Sequence, residues 1–296
     1  MTRRNPAFAV PAVAVGLLML AGCAEHRQPS PSAATAPDGQ VYQVRATVLQ
    51  APGTGPQLCN AVADSYPPQC TGPELAGWDW DAVDPETASG TTWGSYLLTG
   101  TWDGHRFTLT EPAEPDDGSP GPDAAEPDFT SLCPAPDGGW GLVDPATTTQ
   151  AGLDAALTLA AQDPGYAGAW IDQPDQRQRD QGRDATALER AANDPTRMVL
   201  NLRFTGNAGS RDQAIRQVWG GALCLTGAAR TEAELLEIQQ QLHRDLPERV
   251  LGSGIDVRTN AVTAQVFVAD PALQRDLDQR YGEGAVILDG WLRPVS

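Results

Sequence analysis

The stretch Glu232-Ala233-Glu234-Leu235-Leu236-Glu237-Ile238-Gln239-Gln240-Gln241-Leu242-His243-Arg244, then Gly254-Ile255-Asp256-Val257 and Ala261 to Val268, decides the fold class. It reads as helix, strand, strand, and continues with a helix at Pro271–Arg280 and a strand at Ala285-Val286-Ile287-Leu288. Thr231 lies three residues before Glu234, the spacing of a capping box, and Pro271 follows Asp270 at a first helical turn. The same order occurs once before: a helix at about 147–161, Ala167-Gly168-Ala169-Trp170-Ile171-Asp172, a strand at Met198–Phe204, a helix at about 210–218 and the strand Ala222-Leu223-Cys224-Leu225. The copies come into register at Val218-Trp219-Gly220-Gly221-Ala222-Leu223 and Arg280-Tyr281-Gly282-Glu283-Gly284-Ala285-Val286. Each reads α-β-β-α-β, which buries its helices on one face of a mixed sheet. Gln173 to Pro195 is a polar insertion in the first copy and is expected on the surface.

Upstream the period changes. Val41 to Val48 alternates, and Thr92-Trp93-Gly94-Ser95-Tyr96-Leu97-Leu98-Thr99-Gly100-Thr101 is strand-like as well. Asp103-Gly104 then signals a hairpin into His105–Thr110. No helix is expected between residues 41 and 111, so this segment predicts a small antiparallel β domain, an open barrel of the oligosaccharide/oligonucleotide-binding type being one form. The chain is therefore expected to be α+β: a barrel-like domain at 41–111, an acidic Pro-rich linker at 112–128 and the duplicated α/β domain at 129–296.

The N-terminus carries a different signal. Arg3 and Arg4 precede an apolar run, Ala7 to Leu20, which ends in Leu20-Ala21-Gly22-Cys23. This is the layout of a secretory signal at 1–22, too short and wrongly flanked for a spanning helix. The run resembles the lipobox of bacterial lipoproteins, which implies cleavage before Cys23, diacylglycerol on its sulfur and further acylation such as palmitate. The resemblance implies an anchor in the outer face of the cytoplasmic membrane, with Ala24 to Gln40, rich in Pro, Ser and Ala, as a flexible tether at 23–40.

All 20 basic residues are arginine, which excludes lysine Schiff bases and Walker-type phosphate loops. Loss of Arg3 and Arg4 with the signal takes the net charge from −18 to −20. So acidic a chain repels nucleic acid and anionic headgroups, and no nucleic-acid partner is expected. Four cysteines remain after Cys23, in the even number that an exported disulfide protein uses. Of three pairings, the short spacing favours Cys59 with Cys70, leaving Cys133 with Cys224. No CxxC occurs and His26, His105 and His243 are scattered, so neither a zinc site nor another cofactor is expected.

Candidate chemistry is sparse. No Gly-x-Ser-x-Gly occurs, and Gly252-Ser253-Gly254 is expected at a helix-to-strand turn, so no catalytic triad is predicted. Asp79, Asp81, Asp84 and Glu86 form an acidic cluster without EF-hand spacing, expected on an edge strand and turn. Trp78 and Trp80 alternate with Asp79 and Asp81 and would share one strand face. Exposed, they would form a ligand platform for carbohydrate or peptide; buried, they would be core, the commoner fate of aromatics in a small barrel. A carbohydrate-active enzyme using Asp79 and Asp81 is the catalytic alternative.

Tyr166-Ala167-Gly168-Ala169-Trp170-Ile171-Asp172 and Gly254 to Val262, each leading into a strand, resemble the pro-regions of streptogrisin and alpha-lytic type serine endopeptidases. The likeness spans roughly 147–290 and implies repeated small α/β units that chaperone or inhibit a protease. It implies that the tail, Trp291-Leu292-Arg293, reaches toward a protease cleft. Residues 41–111 have no counterpart in those pro-regions. The whole layout, with Ser65-Tyr66-Pro67-Pro68-Gln69-Cys70 and Trp219-Gly220-Gly221-Ala222-Leu223-Cys224, also resembles exported actinobacterial-type lipoproteins, which implies a location and no activity. The expected function is that of a non-catalytic, membrane-anchored extracytoplasmic protein that binds an envelope protein, peptide or wall component, with regulation of a secreted serine protease as the alternative.

Overall fold

The alternation that begins at Val41 builds β1 (Val41–Gln50), whose Tyr42, Val44, Ala46 and Val48 point inward while the residues between them are half-exposed. The computed structural model describes residues 39–119, 128–174 and 185–295, so Cys23, the signal segment and most of the tether lie outside the described residues. β1 pairs antiparallel with β2 (Gln57–Cys59) and, in continuous register from Val41↔Thr101 to Gln50↔Thr92, with β5 (Thr91–Trp102). β2 pairs with β3 (Glu74–Ala76), β3 runs parallel to β6 (Arg106–Leu109), and β6 returns antiparallel to β5. The order β1-β2-β3-β6-β5 thus closes on itself as a five-stranded barrel, which leaves no edge within the ring. Short β4 (Glu86–Ala88) extends from β5. The interior is filled by Tyr42, Val44, Val48, Leu58, Leu75, Tyr96, Leu98, Trp102 and Phe107. The Asp103-Gly104 turn forms as expected: the Asp103 carboxylate accepts from the backbone N–H of His105 and Arg106, and these bonds hold its pKa below the usual range.

Two segments beside the barrel take an order that their sequence pattern does not show. Trp78-Asp79-Trp80-Asp81 is not an edge strand. The Asp79 carboxylate accepts from Asp81 N at 3.0 Å and caps a 3-10 turn at Trp80–Ala82, a bond that competes with any sheet ladder. The start of the acidic linker is also structured. β7 (Glu114–Pro115) pairs with β5, Ala113 packs on the barrel core, and Arg45 forms ion pairs with Asp116 and Asp117.

The duplication is realised in register. The first unit comprises α1 (Gln150–Ala161), β8 (Tyr166–Asp172), α2 (Ala185–Ala192), β9 (Val199–Thr205), α3 (Asp212–Arg216) and β10 (Ala222–Ala228). The second comprises α4 (Glu232–Asp245), β11 (Val250–Asp256), β12 (Ala261–Val266), α5 (Pro271–Tyr281) and β13 (Val286–Gly290). Each unit forms a three-stranded sheet with one antiparallel and one parallel pairing, β10-β9-β8 and β11-β12-β13. Asp172↔Val199 corresponds to Asp256↔Ala261, and Leu200↔Leu223 to Val262↔Val286. Both antiparallel pairs carry a bulge at the same step, Tyr166/Gly168 and Val250/Gly252. The capping box at Thr231/Glu234 and the Asp270 cap before Pro271 form as expected.

Within the polar insertion, 175–184 lies outside the described residues, and α2 occupies part of the rest. β11 begins four residues earlier than the sequence suggests, because the bulge admits Gly252-Ser253-Gly254 into a strand that reads as a turn. Both disulfides, Cys59–Cys70 and Cys133–Cys224, are present.

The tail closes the molecule. After β13, Trp291 N and Leu292 N donate to Val266 O and Phe267 O, and β14 (Arg293–Pro294) pairs with β1. Leu292 is buried inside the barrel core, and Phe267 stacks on Trp102 with ring centroids 4.6 Å apart. The described residues accordingly fall in one compact unit. Burial of Leu292 and pairing of Arg293 with Gln43 hold the tail on the barrel, with Arg293 to Val295 exposed on its surface.

Candidate functional site

Three short segments converge between the two repeats. The first is 128–132, the second Ala169-Trp170 of β8, the third Ile255 to Thr259 at the end of β11. They enclose an open groove of about 660 Å³. Its apolar lining comes from Phe129, Leu132, Trp170, Ile255 and Val257. Phe129 and Leu132 are 55% and 41% exposed, a large apolar surface for one short segment.

Polar contacts fix the groove's shape. The Trp170 indole N–H donates to Phe129 O at 3.1 Å. Ser131 donates through its backbone N–H and its hydroxyl to the buried Asp172 carboxylate, at 2.7 and 2.9 Å. Arg258 donates to Asp128 O and pairs with the Asp128 carboxylate, whose pKa falls well below the usual range because of that hydrogen bond and the Thr130 N–H. Arg203 on β9 donates to Val257 O and Arg258 O and also to Gly227 O, which holds the β11–β12 turn against the first sheet. Gly168, at φ +119°, lets that turn approach: a Cβ there would lie 2.6 Å from a Val257 methyl carbon.

The sequence-predicted platform is elsewhere. Trp78 and Trp80 are half-buried, packed on the barrel core, with ring centroids 5.1 Å apart at 78°. They do not share a strand face, since Trp80 lies in the 3-10 turn and its indole donates to Gln50 at 2.6 Å. Asp79 and Asp81 are exposed, and only Trp78 and Asp79 line a recess, of about 310 Å³, at that end of the barrel. Trp291, Leu292 and Arg293 belong to the tail that docks on the barrel, described above.

Ser253, expected in a turn, sits in β11, where His243 Nε2 lies 2.7 Å from its hydroxyl and Gln239 donates to it at 3.0 Å. Among the described residues no carboxylate hydrogen-bonds to His243, and neither residue lines the groove or the recess. The pair lacks the orienting acid and enclosed substrate site of a triad. Among the described residues no group of three or more His, Cys, Asp and Glu side chains converges as a metal site, and no helix is long and apolar enough to cross a membrane.

No family model matches the chain, and no curated protein matches it in a sequence comparison. The groove therefore has to be read from its own chemistry. No pattern within a single segment marks it, because Phe129, Trp170 and Val257 come from three elements.

Proposed function

We propose that this is a lipid-anchored extracytoplasmic protein that binds a protein or peptide segment of the envelope non-catalytically, through the groove between its two repeats. The groove's exposed Phe129 and Leu132 beside Trp170 carry this reading. Its volume lies within the range of specific binding sites, and its lining is apolar with few oriented polar groups, as such sites are. The strands that flank it, β8 and β11, are both terminal in their sheets and offer backbone groups to an extended segment.

Anchoring and binding are separable by experiment. Cys23→Ala should release the protein from membranes, and continued retention would refute the anchor. For binding, a library of extended peptides displayed against the folded protein should select sequences whose affinity falls at least tenfold in Phe129→Asp. Equal affinity for the variant would remove the groove from the reading.

Regulation of a secreted serine protease is the second reading, and it rests on the duplicated α-β-β-α-β unit. The groove between the two repeats is a surface that could carry it. Titration against chymotrypsin-like proteases should then show stoichiometric inhibition that Phe129→Asp abolishes.

A further inference from the structure

The recess at the barrel end has a chemistry unlike that of the groove. It lies where the parallel strands β3 and β6 both finish, between Gly77-Trp78-Asp79 and Thr110-Glu111-Pro112-Ala113. Trp78, Val83, Leu109 and Ala113 supply apolar walls, and Asp79, Thr110 and Glu111 supply acceptors. No arginine or histidine lines it, so an anionic ligand would meet two carboxylates and no counter-charge.

The wall behind Trp78 is unusual in its hydrogen bonding. Trp78 packs against Tyr96 with ring centroids 4.9 Å apart. The Trp78 indole N–H and the Tyr96 hydroxyl are both buried without a hydrogen-bond partner, and Tyr96 is only 3% exposed. Neither atom is open to solvent, so the pair forms packed support behind the recess, and what the recess itself presents is the Trp78 side chain with the acceptors of Asp79, Thr110 and Glu111.

We infer that this recess is a second binding site, independent of the groove, and that it takes a saccharide ring. A sugar offers an apolar C–H face to an indole and hydroxyl donors to carboxylates, the two kinds of surface present here. The net charge of −18 and the carboxylates of Asp79 and Glu111 disfavour phosphate-bearing ligands, and the recess of about 310 Å³ is too small for a folded partner. The ligand is a neutral or amino sugar of the kind found in wall polymers.

The test is calorimetric titration of the full chain in detergent with chitotriose, and with choline as a small organic cation. Chitotriose should bind. Ala82→Trp fills the recess from an exposed position and Glu111→Ala removes an exposed acceptor, so both should fold normally and weaken binding at least tenfold. Phe129→Asp should leave chitotriose binding unchanged, which separates this site from the groove. Absence of sugar binding at millimolar concentration, binding undiminished in Ala82→Trp, or binding of choline alone would each overturn the inference.

Discussion

The two repeats share a register, a bulge position and a helix order, yet the second face of the sheet is sealed in the first and open at one strand, β13, in the second. In the first repeat, Val199, Ala222 and Cys224 lie under Cys133 and Trp140, brought there by the disulfide-tied segment that begins at Asp128. In the second, Ile287 occupies the position of Cys224 and is 40% exposed. The β8–β9 connection runs from 173 to 198, while the β11–β12 connection is only 257–260. Duplication thus supplies two equivalent frames, and the asymmetry comes from the segments around and between their strands. The groove arises where the segment added to one frame meets the short turn of the other.

The largest expected effect tests that added segment. Removing Cys133–Cys224 by paired Cys→Ala changes opens a loop of sequence separation 91 and should cost about 4–5 kcal/mol in urea denaturation. Removing Cys59–Cys70, separation 11, should cost about 3 kcal/mol by the same chain-entropy argument. Equal losses would mean that the segment does not constrain the first repeat.

Next come the corresponding aromatics Trp219 and Tyr281. Trp219 is fully buried and donates to Ala222 O, so Trp219→Ala should cost about 3–5 kcal/mol. Tyr281 is half-buried at the rim, with its hydroxyl on Asp245, so Tyr281→Ala should cost clearly less. A reversal of that order would break the equivalence.

Smaller effects should sharpen the comparison. Thr149 caps α1 with one bond to Gly152 N, whereas Thr231 caps α4 in a reciprocal box with Glu234. Each Thr→Ala change should cost about 1 kcal/mol, Thr231 the more of the two, measured as chemical denaturation midpoints.

Each repeat also holds one tyrosine whose pKa is pushed up to about 12, Tyr166 by burial and the charge of Glu232, Tyr281 by burial and its bond to Asp245. A folded-state pKa above the unfolded value makes deprotonation harder in the native protein. Their contribution to stability is therefore complete below the ordinary value of 10.0 and lost as pH rises from there through about 12. Denaturation midpoints across that window should fall less steeply in Tyr166→Phe, and an unchanged slope would contradict the burial of its hydroxyl.

Local sequence determined a good deal by itself. The β1 alternation, the Asp103-Gly104 hairpin, the capping box at Thr231 and the doubled α-β-β-α-β order depend on neighbours within a few residues, and such signals survive in a linear reading. Where a local bond outcompeted a pattern, as the Asp79 cap did over the Trp78/Trp80 alternation, the reading failed. Tertiary structure alone decided the docking of the tail on the barrel, about 250 residues from β1, since Leu292 is apolar and finds its cover there. It alone decided the groove as well, because Phe129, Trp170 and Val257 acquire a common surface only when Arg258 pairs with Asp128 and Arg203 holds the turn of the second repeat. Contacts between distant segments are set by shape and burial, and no single stretch of chain records them.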